Sequence, residues 1–280
     1  LLLVAFSAKK AVEITINNAM TPADKISHTD LAAQKRAGTD TAAQAIEPIC
    51  CFMPQDPASP AVEWRVEQGL TPYPRALAFM EKRVERIAAG TADELIWLVE
   101  HPALYTAGTS AQTSDLLMPD RFPVYTTGRG GRFTYHGPGQ RVIYIMLDLK
   151  RRRQDIRALV TAVEKWGINS LAEFGIKAEQ RQNRVGLWVD SQTTAALPPH
   201  NEAKIAAIGL RLRKWVSFHG MAVNIAPNLE HYSGIVPCGL AEYGVTSMAQ
   251  IGKIISFAEW DKVLQNNFRK IFGKIANSRK

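Results

Sequence analysis

Hydrophobic spacing divides this chain into elements before any chemistry is considered. Residues 1–60 open with a short apolar run, Leu1 to Phe6. Sequence rich in Ala, Thr, Asp and Pro then follows with only weak periodicity. The pattern predicts an N-terminal arm over 1–60, disordered or loosely attached, ahead of one folded domain over 61–280. Met20, followed by Thr-Pro-Ala-Asp, reads as an ordinary soluble start, which leaves 1–19 without a catalytic role. Within 71–89, Ala76, Phe79, Met80, Val84 and Ile87 share one helical face, and Gly90 can end the helix. Residues 95–99 and 142–149 are nearly continuous apolar runs and predict strands buried on both faces. Asp155 reads as an N-cap for a helix carrying Ile156, Leu159, Val160, Val163 and Leu171 inward, closed by Gly175. Residues 185–189 predict another buried strand, and 190–203, with Pro198 and Pro199, a surface loop. Residues 204–213 alternate at their end and pair with 215–225 in a hairpin turning at Arg213–Lys214. Ser256 and Glu259 form a capping box for a last helix with Trp260, Val263, Leu264, Phe268 and Ile271 facing in. Strands and helices intermix without a repeat, so the fold class is α/β (α+β), a single domain with a mixed central sheet flanked by helices.

Charge and cysteine content narrow the setting. Lys plus Arg is 34 and Asp plus Glu is 26, a net charge of +8. That excess favours an acidic partner, either an acidic carrier protein or nucleic acid, but no nucleic-acid motif is present. Part of it is concentrated in Lys150-Arg151-Arg152-Arg153, read either as a solvated loop or as a docking patch. Cys50, Cys51 and Cys238 are odd in number and two are adjacent, which is no disulfide framework and points to a reducing, cytoplasmic setting. No zinc-ligand spacing occurs, so no metal is expected. The apolar start is too short to span a bilayer, and its charges follow it, the wrong order for a secretory signal.

The densest candidate chemistry lies in residues 129–140, Arg-Gly-Gly-Arg-Phe-Thr-Tyr-His-Gly-Pro-Gly-Gln. Glycines at this density allow positive φ or close backbone approach to a ligand, or simply a turn between strands. No Gly-Lys-Ser/Thr follows, and Phe133 stands where a dinucleotide fingerprint needs its third glycine. Cys238, between Pro237 and Gly239, is either a small buried residue or an accessible thiol on a turn. Lys204 opens a strand of apolar residues and either snorkels to the surface or sits at a pocket edge where burial favours proton transfer. His101, closing a strand, is either a catalytic residue or, the reading its position favours, a structural hydrogen-bonding one.

These stretches together resemble the lipoyl (octanoyl) transferases. That family is expected to carry Arg-Gly-Gly, two variable residues, then Thr, an aromatic and His-Gly-Pro-Gly-Gln. Later come Lys-Ile-x-x-Ile/Leu-Gly, His-Gly and Pro-Cys-Gly. Here they stand at Arg129–Gln140, Lys204-Ile205-Ala206-Ala207-Ile208-Gly209, Phe218-His219-Gly220 and Pro237-Cys238-Gly239. The resemblance implies a catalytic fold like that of the biotin and lipoate protein ligases. It implies transfer of an octanoyl or lipoyl group from acyl carrier protein to a lysine of lipoyl domains, through a thioester on Cys238 with Lys204 moving protons. The acceptors implied are the lipoyl domains of 2-oxoacid dehydrogenase complexes and the glycine cleavage H protein. No cofactor, membrane or nucleic acid is implied. By the same analogy Arg129, Gly130, Gly131, Arg132, Phe133, Thr134, Tyr135, His136, Ala207, Ile208, Gly209, Gly220, Met221 and Ala222 line the acyl pocket. Backbone N–H groups near Gly130–Gly131 or Cys238 are the expected oxyanion donors. The alternative is an ATP-dependent lipoate- or biotin-type ligase, which needs no cysteine.

Overall fold

The computed structural model of the protein describes residues 52–190, 202–237 and 243–276. All lie in the second of two compact units, residues 47–280. Cys238, the Pro198-Pro199 loop and residues 1–51 of the expected arm fall outside the described residues.

Two strands show why the main sheet forms. In β2 (Leu95–Glu100) and β6 (Gln140–Met146) every residue but Glu100 is buried. Leu95, Trp97 and Val99 with Val142, Tyr144 and Met146 face one side, against Ala76, Met80, Val84 and Ile87 of α1 (Tyr73–Ala88). Ile96, Leu98, Ile143 and Ile145 face the other. There α2 (Ile156–Ala172) and α3 (Phe257–Phe272) cover them with Leu159, Val163, Trp166, Leu264 and Phe268. A helix layer on each face is why these strands read as unbroken apolar runs. The sheet continues through β10 (Val216–Asn224), β9 (Glu202–Arg213), β8 (Arg184–Asp190) and β7 (Glu179–Arg181), with β1 (Glu63–Leu70) at the other edge. The short β11 (Gly244–Val245) pairs parallel with Ala203 and Lys204 of β9. A second, three-stranded sheet of β4 (Val124–Thr126), β3 (Leu104–Ala107) and β5 (Phe133–His136) has its own core of Tyr105, Phe133, Tyr135, Tyr232 and Ile235.

Four local expectations change. The described end of the expected arm is packed: Phe52 is 5% exposed, and its N–H donates to the Ile271 carbonyl at 2.8 Å. The glycine-rich stretch is not one turn, since β5 runs through its middle. The hairpin turns at Lys214–Trp215, one residue later than expected, both at positive φ (52° and 67°). That is the backbone a two-residue hairpin loop demands, whatever residues occupy it. The basic run 150–153 is no uniform patch, because the Arg152 side chain is 0% exposed and paired with the equally buried Glu94. Arg152 also donates to the Phe52 carbonyl at 3.1 Å, so one arginine ties the N-terminal segment to the core.

Candidate active site

A cleft lies on the α1 face of the main sheet. Its floor is made by small residues in cross-strand register: Gly209 opposite Gly220 and Ala207 opposite Ala222. Val142 and Tyr144 continue it on β6, and Ile208 and Met221 also border it. The opposite wall is the loop Arg129-Gly130-Gly131 with Thr134, His136 and Thr106 of the small sheet. Small residues leave the sheet face open, and the second sheet roofs it.

Gly209 is needed for close approach. A Cβ there would lie 2.8 Å from Arg129 Cδ and 3.2 Å from the Gly130 carbonyl oxygen. The loop docks on β9 through the Gly130 N–H, which donates to the Leu210 carbonyl at 3.1 Å. Of the N–H groups expected near Gly130–Gly131 or Cys238 as oxyanion donors, that of Gly130 is therefore committed to β9. Arg129, 8% exposed, donates through Nη2 to the carbonyl and the hydroxyl of Thr106, both at 2.7 Å.

From Arg129 a hydrogen-bond chain of fixed direction crosses the site. Gln140 Nε2 donates to the Tyr135 carbonyl at 3.1 Å, which sets the amide orientation. Gln140 Oε1 then accepts from His136 Nδ1 at 2.7 Å, so His136 is the Nδ1–H tautomer. Its Nε2 accepts from the Thr106 hydroxyl at 3.4 Å. Gln140 Nε2 also donates to Asn224 Oδ1 at 2.9 Å, and Asn224 Nδ2 donates to the Thr246 carbonyl at 2.9 Å. The Thr246 N–H in turn donates to the Lys204 carbonyl at 3.0 Å. The signature residues His136 and Gln140 thus brace Arg129 against the strand that carries Lys204. Burial, then the neighbouring His101, pushes the His136 pKa down to about 3, so the ring is neutral.

His101 is structural, as its position at a strand end suggested. Nδ1 donates to the Thr71 carbonyl at 2.6 Å, so Nε2 must accept from the Tyr144 hydroxyl at 2.7 Å. Burial lowers its pKa to about 4.

Of the residues expected to line the pocket, all but Tyr135 border the cleft. Tyr135 lies on the opposite side of β5, where its hydroxyl meets His231 Nδ1 at 2.8 Å and its ring packs on Tyr105 and Tyr232. Strand alternation explains the miss: Thr134 and His136 face the cleft, so Tyr135 faces away. Sequence reasoning left out Tyr73, Thr106, Val142, Tyr144 and His219, which also border it. His219 was visible in its motif, but its φ of 61° and its Nε2 without a hydrogen-bond partner among the described residues were not. Burial, then Arg129, lowers its pKa to about 3.

Lys204 is 7% exposed and is not one of the residues bordering the cleft. It lies near the start of β9, the strand that supplies Ala207 and Gly209. Its Nζ donates to the Val185 carbonyl at 3.1 Å and lies 4.7 Å from the centre of the Trp188 ring. Cys238, outside the described residues, has no geometry to report. Beyond it, Gly244 and Val245 pair with Ala203 and Lys204.

A family model, the lipoyl protein ligase A/B catalytic domain, matches residues 72–269. An octanoyltransferase of Chelativorans sp. (strain BNC1) is 61% identical over 224 residues, which is 79% of this chain and 91% of that protein. The chain belongs to the octanoyltransferase family. It is accordingly an acyltransferase. A second octanoyltransferase, of Brucella melitensis biotype 1, is 58% identical over 79% of this chain and 85% of its own length. Among solved structures, a lipoate-protein ligase A bound with ATP superposes with a TM-score of 0.57 at 17% identity, covering 78% of this chain and 90% of that one. A putative lipoate protein ligase from T. acidophilum gives 0.57 at 15% identity over 79% and 90%. At those identities the likeness speaks for the fold, which is the ligase-type mixed sheet expected from the motifs.

Proposed function

We propose that this acyltransferase moves an octanoyl group from acyl carrier protein to the acceptor lysine of a lipoyl domain, through a thioester on Cys238. The supporting observation is the cleft itself. Its floor of small residues, Gly209–Gly220 and Ala207–Ala222, bordered by Ile208 and Met221, is the kind of largely apolar surface along which an unbranched acyl chain can pack. The Cys238 thiolate attacks the carrier thioester carbonyl, and the carbon–sulfur bond to the carrier breaks. The carrier sulfur leaves as a thiolate and takes a proton. The acceptor lysine, once deprotonated, attacks the enzyme thioester, forms the amide and returns the thiol. Exchange of one thioester for another is nearly balanced and amide formation runs downhill, so no nucleotide is consumed. In this reading Lys204 stabilises the thiolate and carries the protons, and a reducing, cytoplasmic compartment keeps the thiol free. The acceptors are the lipoyl domains of 2-oxoacid dehydrogenase complexes and the glycine cleavage H protein. Among the described residues no helix is long and apolar enough to cross a membrane.

Intact-mass spectrometry after mixing with octanoyl-loaded carrier tests the reading. One octanoyl group should appear on Cys238 without ATP, and Cys238→Ser should show none and turn over little. Lys204→Arg keeps a cation that does not readily give up its proton, so loading should survive better than transfer. Transfer that requires ATP and leaves Cys238 unmodified would replace this reading with the ligase one.

A further inference from the structure

A buried carboxylate lies behind Lys204, and one peptide group joins the two. Glu164 is on α2 and only 7% exposed. It reaches β8 because α2 packs close there. Gly167, one turn further on, has no side chain, and a Cβ would fall 2.4 Å from Leu187 Cδ1. Glu164 Oε1 accepts from the Gly186 N–H at 3.0 Å. The carbonyl of that same peptide unit belongs to Val185, and it accepts from Lys204 Nζ at 3.1 Å. Gly186 stands at φ +125°, and a Cβ would lie 2.7 Å from the Ala206 carbonyl oxygen and 3.2 Å from Lys204 Cε. Only glycine lets the Val185–Gly186 peptide lie between the two side chains.

The peptide dipole has its N–H toward the anion and its oxygen toward the cation. Each contact polarises the group in the sense that strengthens the other. Burial raises the Glu164 pKa, while the Gly186 N–H and the Lys204 charge act to lower it. Other charged groups on the surrounding strands are engaged elsewhere. Glu202 pairs with Arg181 and Arg184, and Asp190 with Arg181. Arg184 lies over the Trp188 and Tyr243 rings.

We infer that Glu164 is a positioning residue for the acyl-transfer reaction, holding the Lys204 ammonium in place through the Val185–Gly186 peptide. The inference rests on the proposed role of Lys204 but is tested apart from it. The first arm reads hydrogen exchange of the Lys204 ammonium by NMR at fixed pH, assigned by its absence in Lys204→Arg. Glu164→Gln keeps the shape and removes the charge, and exchange should speed up on the order of tenfold. The second arm follows transfer to the lipoyl-domain lysine across pH. The same variant should shift that pH profile and slow transfer more than loading of Cys238. If Glu164→Gln does not fold, Glu164→Asp serves, since it keeps the charge but falls a methylene short of the Gly186 N–H. It should show the same changes at smaller size. Unchanged ammonium exchange in a folded variant overturns the inference. Normal transfer by Lys204→Ala would instead sink the proposed role of Lys204, with the ammonium arm still deciding the Glu164 link.

Discussion

Single residues in this site are chosen for what must not be there. Gly209 was read from the sequence as a pocket residue, and it borders the cleft, but its tightest constraint is the Arg129 side chain packed against it. Gly209→Ala should push the Arg129–Gly131 loop off β9 and break the Gly130–Leu210 hydrogen bond. The expected cost is about 1–3 kcal/mol, with slower acyl loading. Urea unfolding and a loading assay check this, and wild-type values in both would show that the loop yields without loss. The polar and glycine residues of the site stood out against apolar sequence, whereas Phe133, Ala207, Ile208, Met221 and Ala222 were legible only through the resemblance of the motifs around them. Thr106 and Tyr144, in apolar strands, and Tyr73, at the start of α1, were not, because nothing local separates a cleft-facing Thr or Tyr from a core one. Tyr135 failed for the converse reason: position in a motif does not say which face of the strand a side chain takes.

At the scale of elements, periodicity located the three α-helices among the described residues and the central strands to within a few residues, since each carries an apolar stripe or run. It gave no hint of the second sheet, whose strands are short, Leu104–Ala107, Val124–Thr126 and Phe133–His136, and are held by tyrosines and Phe133. A charge run was equally mute about direction. Of 150–153, the Arg153 side chain is 72% exposed and Arg152 is fully buried, and only contact with Glu94, distant in sequence, tells them apart. Arg152→Ala should therefore leave a buried carboxylate unpaired and cost about 3–5 kcal/mol. Arg153→Ala, which loses only a solvated pair with Asp155, should leave the unfolding midpoint unchanged. Equal melting of the two variants would show that the Arg152–Glu94 pair contributes nothing to stability.

The whole molecule should be sensitive to acid, and the buried histidines set the sign. Burial holds the His101 pKa at about 4 and those of His136 and His219 at about 3, below the ordinary value of 6.5. Below pH 6.5 the unfolded chain takes up protons that the folded one refuses, so stability falls as pH falls. Each site loses about 1.4 kcal/mol per pH unit until its folded pKa is reached. Asp261 works the other way. Burial raises its pKa from 3.8 to about 6, against the lowering by Arg141, so between those values folding takes up a proton. Glu164, whose pKa burial also raises, acts in the same sense as Asp261, and the three histidines outweigh them, so stability still falls between about pH 6 and 4. Stability measured by urea unfolding at stepped pH should therefore decline steeply below 6.5. His219→Gln removes one titrating site whose Nε2 has no partner among the described residues, and it should flatten the slope by about 1.4 kcal/mol per pH unit. A flat profile from pH 6.5 to 5 in the wild-type protein would mean that these histidines are solvated enough to titrate in place.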